Sequence, residues 1–346
     1  MIDIKSFDGP SRIDSRSGPD HDLKFREGRN VGSLDKLGTP LKDYVTPDGI
    51  GVDSAKFRIE AERLLKGRAA SSNVIDHADI LGNVLDSLSN VDFKARAGIE
   101  DEDKLPQKHL IVLTIDEILA EFRRQNLGLA RKDGSLFGFN GSHWAELPKE
   151  TVTDFLGDAA KSMGVQELDA RYYEFKNKLF LQFLTAARFR EGRARTDAVL
   201  LNTLNGTLEI TENQVGIRDF DPNDFLTYRL DFEYNAEASC PMFDAFIREA
   251  LPEKESRDLV AEFLGYAFTK NRKMEKAGLF YGTGANGKSV LFDIVNALIG
   301  RENITNFSLT DLMAEHNRAL ISNKLLNYGS EINAGVTRDI FKTLVS

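Results

Sequence analysis

Eight consecutive residues carry the clearest chemistry in the sequence: Gly282-Thr283-Gly284-Ala285-Asn286-Gly287-Lys288-Ser289. They satisfy the phosphate-binding pattern G-x-x-x-x-G-K-[ST] at every fixed position. Glycines let backbone N–H groups curl around phosphate oxygens, and a following helix adds the positive end of its dipole. Lys288 is placed to reach the β- and γ-phosphates of ATP, and the Ser289 hydroxyl to ligate Mg²⁺. A short pattern also arises by chance as a flexible Gly/Asn turn, so the flanks must decide. Upstream, Lys276-Ala277-Gly278-Leu279-Phe280-Tyr281 reads as a short buried strand. Downstream, Val290, Leu291, Ile294, Leu298 and Ile299 recur at helical spacing. Strand, glycine loop, helix is the order that phosphate binding requires.

A phosphate loop also needs an acidic partner to hold Mg²⁺ and orient water. Lys324-Leu325-Leu326-Asn327-Tyr328-Gly329-Ser330-Glu331 offers one. A strand beginning at Leu325 and Leu326 leaves Glu331 at its C-terminal end, the edge at which open α/β sheets bind ligands. The alternative is an ordinary solvated glutamate after a strand. Two further groups of residues could do chemistry. His143 and Trp144 could form a ligand-stacking pair, although a partly buried strand position is the expected reading. Arg188, Arg190, Arg193 and Arg195 form the strongest basic cluster. They could meet a nucleic-acid backbone. The expected reading is a cationic helix end favoured by the dipole.

These residues need elements to position them, and composition bounds what those elements can be. At 346 residues the chain is long enough for two or three domains. A hydrophobic content of 41% with 29% charged residues describes an ordinary soluble protein. The net charge of -9 repels phosphate overall, so a nucleic-acid binder of this composition needs a local basic patch. The single cysteine, Cys240, excludes an internal disulfide and a multi-cysteine zinc site, and suits the reducing cytoplasm. No apolar run approaches the ~18 residues that span a membrane, and Met1-Ile2-Asp3-Ile4-Lys5 lacks a signal-peptide core.

In chain order, residues 1–50 are expected to be a disordered arm, with a partner-docking or DNA-contacting tail as the alternative. Residues 51–108 are expected to be a helical segment and linker. Phe57, Ile59, Ala61, Leu64 and Leu65 line one short helix, and Val74, Ile75, Ile80, Leu81, Val84, Leu85 and Leu88 a second. Residues 109–235 are expected to be an α+β domain. Thr114 is expected to cap a helix through Ile115, Ile118, Leu119 and Phe122, with Glu117 at the capping-box position. Asp133-Gly134 and Asn140-Gly141 signal tight β-turns. Residues 151–163 and 167–189 read as helices, and 202–225 as β-structure. Residues 236–346 hold a helical lead-in and the phosphate-loop region. Pro241 opens a helix burying Phe243, Phe246, Ile247 and Ala250. A second helix buries Leu259, Val260, Phe263, Leu264 and Phe268.

From about residue 110 onward the sequence resembles the phage and plasmid primase–helicase family, a branch of the superfamily 3 helicases. Asn205-Gly206-Thr207-Leu208-Glu209 resembles the family's short asparagine-glycine strand. Phe232-Glu233-Tyr234-Asn235 with Cys240-Pro241 and Phe243 resembles its next segment, and Phe263-Leu264-Gly265-Tyr266 the helix before the ATP site. Residues 282–289 resemble its Walker A, including the Asn-Gly-Lys-Ser ending, and residues 324–331 its Walker B. A single acidic residue preceded by Ser330 departs from the family's Walker B. No primase carboxylate constellation or zinc-binding cysteine set is present, so primase activity is not predicted.

The resemblance implies ATP-driven unwinding of DNA by a homo-oligomeric ring, a hexamer, during mobile-element replication, with a primase or other replication partner possible. It implies ATP and Mg²⁺ as cofactors, with phosphate on Lys288, Mg²⁺ on Ser289, and Mg²⁺ or water activation on Glu331. The fold class expected is α+β N-terminal and middle regions followed by an α/β P-loop NTPase domain (AAA+-like, superfamily 3). That domain is expected to be truncated, because the family pattern runs on past Walker B to a sensor residue and an arginine that reaches the neighbouring subunit. No membrane association is expected, and a cytoplasmic location is. Two other readings stay open: a nucleotide-binding replication assembly module without catalysis, and a P-loop phosphotransferase.

Overall fold

The computed structural model describes residues 3–7, 74–100, 102–190, 198–269, 276–282, 287–321 and 324–329. It divides into two compact units. The first comprises Gly67–Ala236 with Leu298–Asn303, and the second comprises Met1–Lys66, Glu237–Ala297 and Ile304–Ser346. The elements are mixed α+β with small sheets.

The second unit contributes the first strand, β1 (Asp3–Phe7), so the chain enters the first unit at α1 (Ile80–Ser87) and α2 (Phe93–Ala97). α3 (Gln107–Arg124) follows. It begins seven residues earlier than the expected Thr114 cap. Pro106 stands at its N-cap, and Thr114 lies buried mid-helix, its hydroxyl donating to the Leu110 carbonyl at 2.7 Å. The apolar stripe from Leu110 to Phe122 gains more from burial than a serine-like cap at Thr114 could supply. β2 (Gly128–Lys132), β3 (Ser135–Phe139) and β4 (Trp144–Leu147) form an antiparallel sheet in that order. Lys132 pairs with Ser135 across Asp133 and Gly134, which both take positive φ (49° and 91°), as a two-residue hairpin of this twist demands.

α4 (Lys149–Ser162), α5 (Glu167–Arg171) and α6 (Tyr173–Ala186) complete the helical layer. The single helix expected over 167–189 is therefore broken at Tyr172, whose backbone is extended, and it stops at Ala186. Ile115, Ile118, Phe122, Leu156, Leu179 and Phe183 are almost fully enclosed between these helices and the inner face of the sheet, where Leu129 and Leu136 lie. The outer face alternates with it and carries Phe137, Phe139 and Trp144 in a separate aromatic cluster with Phe189, Phe220 and Phe225.

β5 (Val199–Thr203), β6 (Gly206–Ile210) and β7 (Val215–Arg218) form a second antiparallel sheet. The expected β-structure over 202–225 is present and ends in a 3-10 turn at Pro222–Asp224. An extended segment then stitches the two sheets together. Trp144 N–H donates to the Leu226 carbonyl, Leu230 N–H to Asn202, and Leu204 N–H to Phe232, each within 2.9 Å.

In the second unit, α7 (Pro241–Ala250) opens at Pro241, and α8 (Lys254–Ala267) follows. Their apolar faces are only partly covered: Ala250, Leu251 and Val260 are buried, while Phe246, Ile247 and Leu264 pack around them half-exposed. β8 (Ala277–Tyr281), α9 (Lys288–Ile299), β9 (Ile304–Thr305), α10 (Glu315–Leu320) and β10 (Leu326–Asn327) complete the unit. β9 and β10 pair in parallel, whereas β8 pairs antiparallel with β1 in the register Ile4 to Phe280. A strand thus lies within the stretch expected to be without order, where it satisfies backbone groups along one edge of β8. Residues 8–73, which hold the remainder of that stretch and the helix expected around Phe57, lie outside the described residues.

The single α/β sheet expected around the phosphate loop is not assembled among the described residues. β8 and β10 sit in separate two-stranded sheets, with no described strand hydrogen-bonded to both.

Candidate nucleotide-binding site

The sequence pattern places a strand, a loop and a helix in succession, and the described backbone holds the strand and the helix. β8 ends at Tyr281, Gly282 leaves it exposed, and α9 starts at Lys288. Thr283, Gly284, Ala285 and Asn286 lie outside the described residues. At the far end of the loop Gly287 has φ +83°, and its carbonyl accepts from Leu291 N–H at 2.9 Å, closing the first turn of α9. A Cβ at Gly287 would lie 3.1 Å from the Phe246 ring and 3.5 Å from Ala250. Position 287 therefore favours glycine for its left-handed backbone, and a larger side chain there would also have to displace the Phe246 ring of α7 slightly. Lys288 Nζ donates to the Gly282 carbonyl at 3.5 Å, so the ammonium bridges the two ends of the loop. Ser289 is exposed on the first turn of the twelve-residue helix. A glycine in the left-handed conformation, an ammonium turned toward the far end of the loop and an exposed hydroxyl on the first turn of the helix fit a triphosphate with its Mg²⁺.

An aromatic stack fixes the surroundings of this loop. Phe280 of β8 meets Phe292 of α9 edge-on at 5.3 Å, and Phe292 stacks on Tyr328 at 4.6 Å. Asn296 Nδ2 donates to the Tyr328 hydroxyl at 2.9 Å. Asn327 clamps the same strand end through Phe307, accepting from its N–H at 3.0 Å and donating to its carbonyl at 3.1 Å. The end of β10 is thus held against the helix that follows the phosphate loop. Glu331, three residues beyond Tyr328, lies outside the described residues. No group of three or more His, Cys, Asp or Glu side chains that could hold a metal is found among the described residues.

The other residues singled out by sequence have different fates. Trp144 is buried, its Nε1 donating to the Pro222 carbonyl at 2.9 Å, with Phe225 stacked on it at 5.2 Å. The strand reading holds for it, and no surface is left for a ligand to stack on. His143 lies beside His77, ring centroids 4.6 Å apart, and Ser142 Oγ is 2.9 Å from its Nδ1. Its carbonyl accepts from His77 Nε2 at 3.0 Å, and Asn140 Oδ1 accepts from the backbone N–H of Ser142 and His143. Burial pushes the His143 ring down to about 3, helped by the charges of His77 and Arg229. Burial also depresses Arg229, whose Nη1 is enclosed without a hydrogen-bond partner among the described residues.

Arg188 and Arg190 do not cap a helix. The chain past Ala186 turns onto the edge of β2, where Arg131 N–H donates to the Ala187 carbonyl and Phe189 N–H to the Arg131 carbonyl, both at 2.8 Å. The dipole acts only within the last turn, so these arginines have another reason to be there. Arg193 and Arg195 lie outside the described residues. Sequence reasoning missed Arg131 and Lys132, which this pairing brings alongside Arg188. The bare signal was two cationic dipeptide neighbourhoods separated by fifty-odd residues, with nothing local to join them.

Residues 116–252 match the family described as D5 N terminal like, and residues 280–346 match a family of unknown function, DUF5906. The first match supports kinship with phage and plasmid primase–helicase proteins and places the chain in a DNA-replication context. A comparison with curated proteins found no match. No described helix is long and apolar enough to cross a membrane.

Proposed function

We propose that the chain is an ATP-dependent DNA helicase of the superfamily 3 type, acting in phage, plasmid or other mobile-element replication as part of a homo-oligomeric ring. The observation that carries this reading is the complete phosphate-loop pattern at 282–289, lying between β8 and α9, with Gly287 in a left-handed conformation that favours glycine. The D5 N terminal like match supports the replication context. ATP with Mg²⁺ supplies the free energy when bound. Backbone N–H groups of the loop hold phosphate oxygens, Lys288 neutralises the β- and γ-phosphates, and Ser289 contributes a metal ligand. Glu331 orients the attacking water. Turnover is tested with Lys288→Ala and Glu331→Gln in a DNA-stimulated phosphate-release assay. Lys288→Ala should abolish detectable hydrolysis. Glu331→Gln should retain nucleotide binding while hydrolysis falls by orders of magnitude. Parent turnover in Lys288→Ala overturns the assignment.

A second reading, a nucleotide-binding assembly module without catalysis, is favoured by one observation: β8 and β10 occupy separate sheets. Tight ATP binding with no turnover by the parent chain selects it.

A further inference from the structure

The first unit holds a cavity of about 1080 Å³. Among the described residues its charged lining is Arg131, Lys132, Arg188 and Arg190 against one carboxylate, Asp133, and Phe189 adds an aromatic wall. The excess is built by the fold. The edge pairing of Arg131 with Arg188 brings cations from β2 and from the segment after α6 to one place. Lys132 Nζ is held 4.3 Å from the centre of the Phe225 ring and 5.8 Å from that of Phe189. Arg131, Arg188 and Arg190 are exposed, and no ion pair joins them to an acid among the described residues. In the same unit Lys161 is matched by Glu167, Lys176 by Asp154 and Arg124 by Glu121, whereas the exposed Lys108, Arg123 and Arg171 lie scattered with no ion pair among the described residues.

We infer that this cavity is a binding site for single-stranded nucleic acid, with the arginines on its phosphates and Phe189 beside a base. The inference deepens the proposed function, since it rests on the chain acting on DNA, and it locates where a strand is held apart from the ATP site. Three physical points support it. Four cations to one carboxylate among the described lining residues is a local reversal in a chain of net charge -9, and phosphate attraction here has to come from such a patch. Guanidinium groups present paired donors that match phosphate oxygens. The cavity reaches the top of the roughly 300–1,000 Å³ range of small-molecule pockets, and its charged lining contrasts with the apolar walls that such pockets favour. A cationic track with an aromatic side chain is instead how single strands are held without sequence preference.

The test is fluorescence anisotropy of a labelled 20-nucleotide oligothymidine and of a duplex of equal length, with the full chain and no nucleotide. The triple variant Arg131→Ala, Arg188→Ala, Arg190→Ala should weaken single-strand binding at least tenfold at low salt. The slope of log affinity against log salt should fall by about 2, near 0.7 for each phosphate that is no longer neutralised. A control removes three exposed cations from elsewhere in the unit, Lys108→Ala, Arg123→Ala and Arg171→Ala. It should bind within twofold of the parent. Unfolding midpoints and nucleotide binding of both variants should match the parent. Equal losses in the two variants, an unchanged slope in the first, or duplex binding as tight as single-strand binding each overturn the proposal. Because no nucleotide is present, its failure leaves the Lys288 result standing, and absent hydrolysis leaves the cavity result standing.

Discussion

The two units differ most in what they enclose. In the first, Phe122, Phe183, Ile115, Ile118, Leu156 and Leu179 are within 1% of complete burial, and a second aromatic cluster covers the far side of the sheet. In the second, the apolar stripes of α7 and α8 are present in sequence, but Phe243, Leu259 and Phe263 remain half-exposed around Ala250, Leu251 and Val260, and the other buried apolar side chains among the described residues are Leu291, Val295, Ile304 and Leu312. Yet it is the second unit that carries the phosphate loop. The motif with the sharpest chemical meaning thus lies outside the larger of the buried cores, and the unit with that core carries no such motif. Ligand-binding segments are drawn from the less stable end of a structure because they must rearrange around what they bind. Stability and chemistry are therefore expected to respond to different perturbations, and each of the following measurements can break that separation.

The largest effect on stability is expected at Trp144, in the first unit. It is the sole tryptophan, it is 3% exposed, and it makes both a ring stack with Phe225 and a hydrogen bond to Pro222. Trp144→Ala should cost about 3–5 kcal/mol, as expected for emptying a large aromatic site. The loss should be read by circular dichroism in a denaturant series, because the substitution removes the fluorescent reporter. ATP affinity per folded molecule should stay at the parent value. A matching loss of ATP affinity in the folded fraction would show that the units are not separable in this way.

Nucleotide should act on the other side of the comparison. A ligand that binds only the folded site adds about 2.7 kcal/mol when its free concentration is a hundred times Kd. Hydrogen exchange should slow in β8 and α9 on adding ATP and Mg²⁺, with α3, α4 and α6 unchanged. Protection spread evenly over both units would mean that the loosely packed unit does not open on its own. No change in β8 or α9 at saturating nucleotide would remove the case for a site there.

How much of this was legible in the sequence depends on range. Local signals read well: Asp133-Gly134 gave its hairpin, Pro241 its helix start, and the flanks of the phosphate-loop pattern their strand and helix. Helix ends read poorly. Thr114 has the right chemistry for a cap, but the apolar stripe upstream extends the helix to Gln107. Ala187 continues the spacing of Phe180 and Phe183, and its N–H still bonds the Phe183 carbonyl, so the stretch reads as helix through Phe189. The edge of β2 offers the competing hydrogen bonds that draw the chain away, and no residue near Ala187 announces that edge. For the same reason the arginine cavity was invisible as a whole: half of it was noticed as a charge run, and the other half lies on a strand that only tertiary pairing brings near. The pairing of β1 with β8 is of the same long-range kind. The carboxylate partner of the loop, Glu331, rests on sequence and resemblance alone.

The smallest expected effect is acid sensitivity, and it belongs to the first unit. His143 is held neutral by burial and by the neighbouring His77 and Arg229, with its pKa moved from 6.5 to about 3. His77 is also depressed, by burial first and by Arg229, against the opposing pull of its bond to the His143 carbonyl and of Asp76. In the unfolded chain both rings return to ordinary values. Between about pH 6.5 and 3 the unfolded chain then holds a proton on the His143 ring that the folded chain refuses. Stability from this group is complete above pH 6.5 and declines as the pH falls, by up to about 1.4 kcal/mol per unit. The window from pH 6.5 to 5 carries this contribution together with that of His77, and a variant at position 143 separates the two. His143→Gln keeps a polar side chain and removes the titration. Its unfolding free energy in urea should vary less with pH across that window than the parent's, while its value at pH 7.5 falls modestly. An identical slope in parent and variant would mean that the folded chain accepts the proton after all. The His77–His143–Asn140 cluster would then have to open without the helical core around Phe122 opening with it.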